Sequence, residues 1–284
     1  MDKVDEVNEY VRGLPAAPLR PYASYYSGYR DSGTSPAVHR GLPSPYLTLV
    51  FTLDDPLVIT QHRGPGTGAR SYRSLLGGLD AVPALIAYGG RQSGVQVSLN
   101  PLGARVLLGC PAGELAGIEV DAEDVLGPVA GEIRERMLHA DTWARRFAVL
   151  DRALVSRMDG RGEVDPRVRH AWGRLLRSGG NVSVAELAGE LGWSTRHLSG
   201  RFATEVGFSP KTAARVVRFD RARRALARTP HSGAEVAAAH GYYDQSHFVR
   251  DFREFAGCSP TTWLADEFRI VQAGAPVEAA DCPA

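Results

Sequence analysis

The feature that most limits how this chain can fold is a repeat in its C-terminal half. The string ELAGELGWSTRHLSGRFATEVGFSP, Glu186 to Pro210, aligns with EVAAAHGYYDQSHFVRDFREFAGCSP, Glu235 to Pro260, once one residue is inserted in the turn. Each copy opens on a capping box, Ser183-Val184-Ala185-Glu186 and Ser232-Gly233-Ala234-Glu235. There the Ser oxygen and the Glu carboxylate each satisfy an orphan backbone donor. A short helix, a Gly-aromatic turn and a second helix follow. The second helix carries a His before an apolar residue and an aromatic four residues further on, and the unit closes on Gly-x-Ser-Pro. Two such units about fifty residues apart specify a duplicated helix-turn-helix.

The segments around the repeat fit this reading. Asp165-Pro166 caps a helix with Val168, Trp172, Leu175 and Leu176 on its apolar face, and Gly179-Gly180 ends it. Ser209-Pro210 opens a long helix to Arg228, closed by Thr229-Pro230, and Ser259-Pro260 opens a last one with Leu264, Phe268 and Val271 on one side. The long helix spans about 28 Å at 1.5 Å per residue. That is close to the roughly 34 Å between successive major-groove faces of a duplex.

Charge gives the same part of the chain its character. The whole molecule carries only +1, yet residues 164–229 hold thirteen basic side chains against five acidic ones, so the remainder carries −7. All the basic residues are arginine except Lys3 and Lys211. A basic segment set against an acidic remainder suits a nucleic-acid-binding module joined to something else; a solvated helical face gives the same count.

The first forty residues, rich in Pro, Gly, Ser and Tyr, show no clear period. Strand-like alternation begins at 46–53 and continues at 57–60, 84–88 and 95–99, with Gly-rich turns at Gly64-Pro65-Gly66, Gly77-Gly78 and Gly89-Gly90. A short helix is predicted over 101–108 and longer ones over 129–139 and 141–158. The acidic N-terminus lacks the layout of a signal peptide, and no apolar run has the roughly 18 residues of a membrane span, so a cytoplasmic protein is expected. Three scattered cysteines, Cys110, Cys258 and Cys282, make neither a disulfide framework nor a zinc site. His39 and His62 have no acidic neighbour at ligand spacing. No metal or cofactor is expected.

Residue by residue, 168–271 resembles the DNA-binding domain of the AraC/XylS family of transcription regulators. The resemblance rests on the duplicated order, on Arg218-Phe219-Asp220-Arg221-Ala222-Arg223, and on Gly241-Tyr242-Tyr243-Asp244-Gln245-Ser246-His247-Phe248. Ala213 departs from it where an aromatic is frequent, as does Gly200 where a long polar side chain is usual. The resemblance implies an N-terminal domain that senses a small molecule or mediates dimerisation, on a cupin-like β-barrel. The segment from Gly94 to Leu115 is similar to the barrel end and helix of such domains. The fold class is therefore an α+β N-terminal sensory domain, a β-barrel plus helices, joined to an all-α domain of two helix-turn-helix units linked by a long helix. The divisions are 1–158, a linker at 159–165, the DNA-binding domain at 166–272 and a disordered tail at 273–284.

With Leu198, Phe202, Phe248 and Phe252 turned to the core, the outward residues are Thr195, Arg196, Ser199 and Gly200 in the first unit. In the second they are Gln245, Ser246, Val249 and Arg250. Arg matches guanine O6/N7, Gln matches adenine N6/N7, and Val249 suits a thymine methyl; contact with phosphate alone is the plainer role of each arginine. Backbone contacts are expected from the helix starts at Ser183 and Ser232, from His197 and His247, and from Arg215 and Arg218. Arg221, Arg224 and Arg228 share another face of the long helix, solvated or set against the first domain. Tyr22, Tyr25, Tyr26, Tyr29, Tyr72 and Tyr88 are candidates for an aromatic pocket or for plain core and surface; no effector-binding residue is assigned. Partners expected are double-stranded DNA, RNA polymerase, a small-molecule effector and a second copy of the chain. The competing classes are an enzyme or repair protein using Cys110 and a DNA-binding protein without a ligand.

Overall fold

Val and Leu alternate with polar residues along the clearest strands, and this pattern builds two antiparallel sheets. The computed structural model describes residues 7–32, 37–62, 68–158, 162, 164–228 and 232–271. The Gly64-Pro65-Gly66 turn, most of the expected linker, the Thr229-Pro230 stop and the 273–284 tail lie outside those residues. In chain order the strands are β1 Val7–Gly13, β2 Ala23–Ser32, β3 Ala37–Gly41, β4 Leu47–Thr52, β5 Leu57–Gln61, β6 Arg70–Tyr72, β7 Ser74–Gly77, β8 Ala84–Tyr88, β9 Arg91–Leu99 and β10 Glu119–Asp121. One sheet has the order β1-β2-β9-β4-β7-β10 and the other β3-β8-β5-β6.

Register fixes which residues share a face. Tyr26, Val97, Leu49, Leu76 and Val120 stand in one row across the larger sheet. Ser27, Gln96, Val50, Leu75 and Asp121 stand in the neighbouring row, on the opposite face. The first face is covered by helices. The second meets the smaller sheet through a buried cluster of Val50, Leu57, Ile59, Tyr72, Leu75 and Ala84.

The covering helices are α1 Ala104–Leu107, α2 Ala122–Leu126, α3 Val129–Leu138 and α4 Trp143–Val155. The segment expected as one helix over 101–108 is a 3₁₀ turn, Pro101–Gly103, running into α1; Asn100 caps the turn by accepting from the Leu102 amide. Asp141 stays outside α4 because Thr142 is its cap. Phe147 of α4 packs on Tyr26, ring centroids 5.6 Å apart. Asp151 of α4 accepts from the Tyr26 hydroxyl and the Ala16 amide, each at 2.9 Å. A Cβ at Gly28 would run into the Trp143 ring, so glycine is what lets α4 lie this close to β2.

β1, β2 and β3 fill the region where the sequence shows no period. Their alternation is disguised: on β2 the helix-facing positions include Gly28 and Arg30, while the opposite face holds Tyr25, Ser27 and Tyr29. The tyrosine group divides accordingly. Tyr26 is core beneath α4, Tyr72 belongs to the cluster between the sheets, and Tyr25 stacks edge-on with Tyr46 at 6.1 Å.

The C-terminal domain is helical: α5 Pro166–Arg177, α6 Val184–Leu191, α7 Thr195–Val206, α8 Pro210–Arg228, α9 Gly233–Ala239, α10 Gln245–Ala256 and α11 Pro260–Val271. Leu198, Phe202, Phe219, Phe248, Phe252 and Phe255 are fully buried. Phe219 of α8 touches both Phe252 and Phe255, with centroids 5.3 and 5.1 Å away. Each such ring contributes about 1.5–3 kcal/mol by leaving water. The apolar core is continuous with that of the N-terminal domain, running from Leu107 and Leu115 to Phe202 and Val206.

Candidate nucleic-acid interface

Local chemistry sets the two units before packing does. Ser183 and Ser232 each close a capping box with Glu186 and Glu235, fixing the starts of α6 and α9. Gly192, at φ +65°, turns the chain out of α6, and Ser194 then caps α7 by accepting from the His197 amide. In the second unit Asp244 caps α10 in the same manner. α7 and α10 are both twelve residues long and both stop at a left-handed glycine, Gly207 and Gly257.

The outward faces are those the spacing predicts. Thr195, Arg196 and Gly200 are exposed and Ser199 half-buried on α7; Gln245, Ser246 and Arg250 are exposed and Val249 half-buried on α10. Arg196 and Arg250 make no hydrogen bond or ion pair among the described residues. Gln245 leans on Gly233 at the start of α9, and Val249 packs partly against the core, which leaves only part of its side chain outward. Gln245, Ser246, Val249, Arg250 and Arg253 line a groove of 440 Å³ along α10. Arg253 was not singled out from the sequence, although it lies one turn beyond Arg250. Nor was Tyr243, the residue inserted in the second turn, which is 93% exposed just before α10.

The two histidines have matching surroundings. His197 stands edge-on to Trp193 at 4.7 Å, and His247 edge-on to Tyr242 at 5.1 Å. The Nδ1 of His247 also accepts from the Tyr243 amide at 3.4 Å. Each ring is thus held by the aromatic of its own turn.

Arg215 and Arg218 of α8 lie half-buried against other helices, where the sequence pointed to the DNA backbone for both. Arg215 donates to Glu254 at 2.9 and 2.6 Å and to Asp251 at 2.8 Å. Arg218 donates to the Gly180 carbonyl, and Arg221 to that of Leu176. Arg223 and Arg224 both pair with Asp220, which is buried. On α5, Arg174 pairs with Glu190 at 2.8 Å and Arg167 lies over Trp193. Part of the basic surplus is therefore internal wiring, while Arg167, Arg169, Arg177, Arg196, Arg201, Lys211 and Arg221 are exposed.

Outside this face, burial first and then the Glu114 carboxylate push the Cys110 thiol up, with Arg105 opposing. A thiol held protonated is a poor nucleophile, which weighs against the reading of Cys110 as a reactive centre. His62 has an acidic partner that spacing could not reveal, its Nδ1 lying 3.0 Å from Glu119 Oε2 in a buried pair. Among the described residues no three His, Cys, Asp or Glu side chains gather as a metal site would need, and no helix is long and apolar enough to cross a membrane.

Residues 187–266 match the family described as a helix-turn-helix domain, a span that begins in α6 and ends in α11. The C-terminal domain is an AraC-type helix-turn-helix domain. Among curated proteins, an uncharacterised HTH-type transcriptional regulator from Staphylococcus aureus (strain MRSA252) is 27% identical over 92 residues, 32% of this chain. The chain spans 12% of the length of that relative. Among solved structures, ToxT from Vibrio cholerae is similar with a TM-score of 0.52 and 10% identity, covering 85% of this chain and 97% of that one. That likeness is one of fold and takes in both domains. A probable AraC family transcriptional regulator from Rhodopseudomonas palustris is 26% identical, with a TM-score of 0.32, over 36% of this chain and 96% of that chain.

Proposed function

We propose that the chain is a sequence-specific DNA-binding transcription regulator of the AraC/XylS type. In this reading α7 and α10 enter successive major grooves from the 166–272 domain, and the 1–158 domain senses a small molecule, dimerises, or does both. The observation that carries the reading is the pair of equally long, equally capped helices whose exposed polar faces hold Arg196 and Arg250 without partners among the described residues. A single chain with two such helices reads two half-sites in tandem, without needing a two-fold repeat in the DNA.

The sensing part is supported by the inner face of the larger sheet. Tyr25, Ser98 and Thr48 stand in one row there, and Arg12, Ser27 and Gln96 in the next, a set of hydrogen-bonding groups suited to a polar ligand. A second copy suits the groove between α3 and α4, where Glu135 lies among Arg136, Arg145 and Arg152. Charges of both signs on one patch complement themselves across a two-fold axis. The regulator works in the cytoplasm, with RNA polymerase as its further partner and with no cofactor or metal.

The experiment is selection of duplexes from a random pool by the full chain, followed by footprinting. A bipartite protected site with about ten base pairs between half-site centres is expected. Recovery of no sequence preference, or of one short block only, overturns the reading.

A further inference from the structure

The two recognition helices are anchored by different parts of the chain. The ionic anchor of α10 is internal, although its C-terminal Gly257 lies beside Pro83 of the N-terminal domain: the guanidinium of Arg215 on α8 is chelated by Glu254 and Asp251 and lies over the Phe255 ring, 4.8 Å from its centroid. In α7 the aligned positions are Arg201 and Thr204, which offer α8 no carboxylate. Instead Glu205 stands where the second unit has the core residue Phe255, and its side chain is only 5% exposed. A carboxylate in a core position is costly unless a cation meets it there. That cation comes from the other domain. Arg105 of α1 donates to Glu205 from Nε at 2.7 Å and from Nη2 at 2.9 Å, a two-pronged pair.

Backbone packing marks the same spot. A Cβ at Gly113, in the 3₁₀ turn Ala112–Leu115, would run into the carbonyl oxygens of Thr204 and Ala203. The last turn of α7 therefore rests directly on the N-terminal domain, while Thr195 and Arg196 at its other end stay exposed. Arg40 reaches Asp266 at 2.7 Å, but on α11, which has no reading face, and with both side chains partly in water.

We propose that Arg105 is the positioning residue of the first recognition helix and Arg215 that of the second, so that the N-terminal domain governs one half of the DNA site and leaves the other half to the C-terminal domain. The inference rests on the DNA-binding reading above and adds a division of labour to it. The link to the sensing face is short. Gln96 and Ser98 lie on the inner face of β9, Asn100 at its end caps the next turn, and that turn runs into α1 and Arg105. β9 leads through that turn into α1, so a molecule held against Gln96 and Ser98 would act on Arg105 by this route.

The test has an arm without DNA and an arm with it, so a failure of the anchors and a failure of DNA binding give different results. Amide hydrogen exchange is followed in the full chain for wild type, Arg105→Gln and Arg215→Gln. Arg105→Gln is expected to speed exchange in α7 by about tenfold and to leave α10 unchanged, and Arg215→Gln to do the converse. The charge swap Arg105→Glu with Glu205→Arg is expected to restore α7, which loss of fold in general would not do. Footprinting on a duplex selected by wild type should then show Arg105→Gln losing protection over one half-site and Arg215→Gln over the other. Equal effects of Arg105→Gln on both helices, no effect on α7, or no rescue by the swap overturns the proposal.

Discussion

Arg218 lies over the ring of Tyr242, 5.5 Å from its centroid, while its Nη2 donates to the Gly180 carbonyl at 2.9 Å. One side chain on α8 thereby joins the end of α5 in the first unit to the turn of the second. Its contribution is to folding. Arg218→Ala should lower stability by about 1–3 kcal/mol, through loss of a charge-assisted hydrogen bond and a cation–π contact. With Arg218 committed to these two contacts, the salt dependence of DNA binding is expected to stay as in wild type. Urea unfolding and a salt titration of affinity check both parts; a salt slope lower by about one would show a phosphate contact instead.

Gly180 itself sits at φ +79°, and a Cβ there would fall on the Ala214 carbonyl oxygen of α8. Gly180→Ala combines left-handed backbone with a backbone clash and should cost about 2–4 kcal/mol. An unchanged urea midpoint would show that α5 and α8 can part without loss.

Arg250 is exposed on α10 and makes no bond within the described fold. Arg250→Ala should leave thermal stability unchanged and weaken binding by about 1–3 kcal/mol at one half-site, relaxing the base preference at its contact position. The check is selection from a random pool with the variant. An identical consensus and affinity would remove Arg250 from the reading face.

Glu190 receives hydrogen bonds from Arg174 and from His170 Nε2, which hold its carboxyl down to about 2. A carboxylate depressed in the folded state stabilises above its unfolded value, near 4.3, and loses that contribution as pH falls towards the folded one. The pair is solvent-exposed, so the effect is small and screened by salt. Wild type should be more stable than Glu190→Gln at pH 6, and the two should converge as pH is lowered from about 4.5 to about 2. Urea midpoints at several pH values measure this, and a gap that widens on acidification would contradict it.

The C-terminal domain is legible in the sequence because its signals are local. Capping boxes, stop glycines and Ser-Pro starts each act within one turn of helix, and the Phe spacing leaves a single way to face the core. α8 over Pro210–Arg228 and the outward set from Thr195 to Arg250 follow from those signals alone. The pairing of Arg215 with Glu254, thirty-nine residues away, has no local signature, so a composition count reads such an arginine as surface charge.

The N-terminal domain is less legible because tertiary packing overrides its pattern. β4, β8 and β9 show alternation, since their Val and Leu meet a core. β2 hides it, because α4 lies so close that Gly28 takes the place of a large apolar residue, and the other face needs Ser and Tyr. Glu205 is the converse case: an acid in a helix reads as solvated unless the aligned Phe255 is taken as a hint that the position is buried.

Gly200 marks the one bare step on the face of α7. A Cβ there would meet nothing within 4 Å, so neither packing nor backbone conformation demands glycine, although glycine inside a helix costs about 1 kcal/mol relative to alanine. Its counterpart in the second unit is Arg250. On the proposed reading face the position is therefore an open letter: one codon change there would add a side chain towards the DNA without disturbing the fold. Drift in target preference among descendants of this protein would begin most easily at that residue.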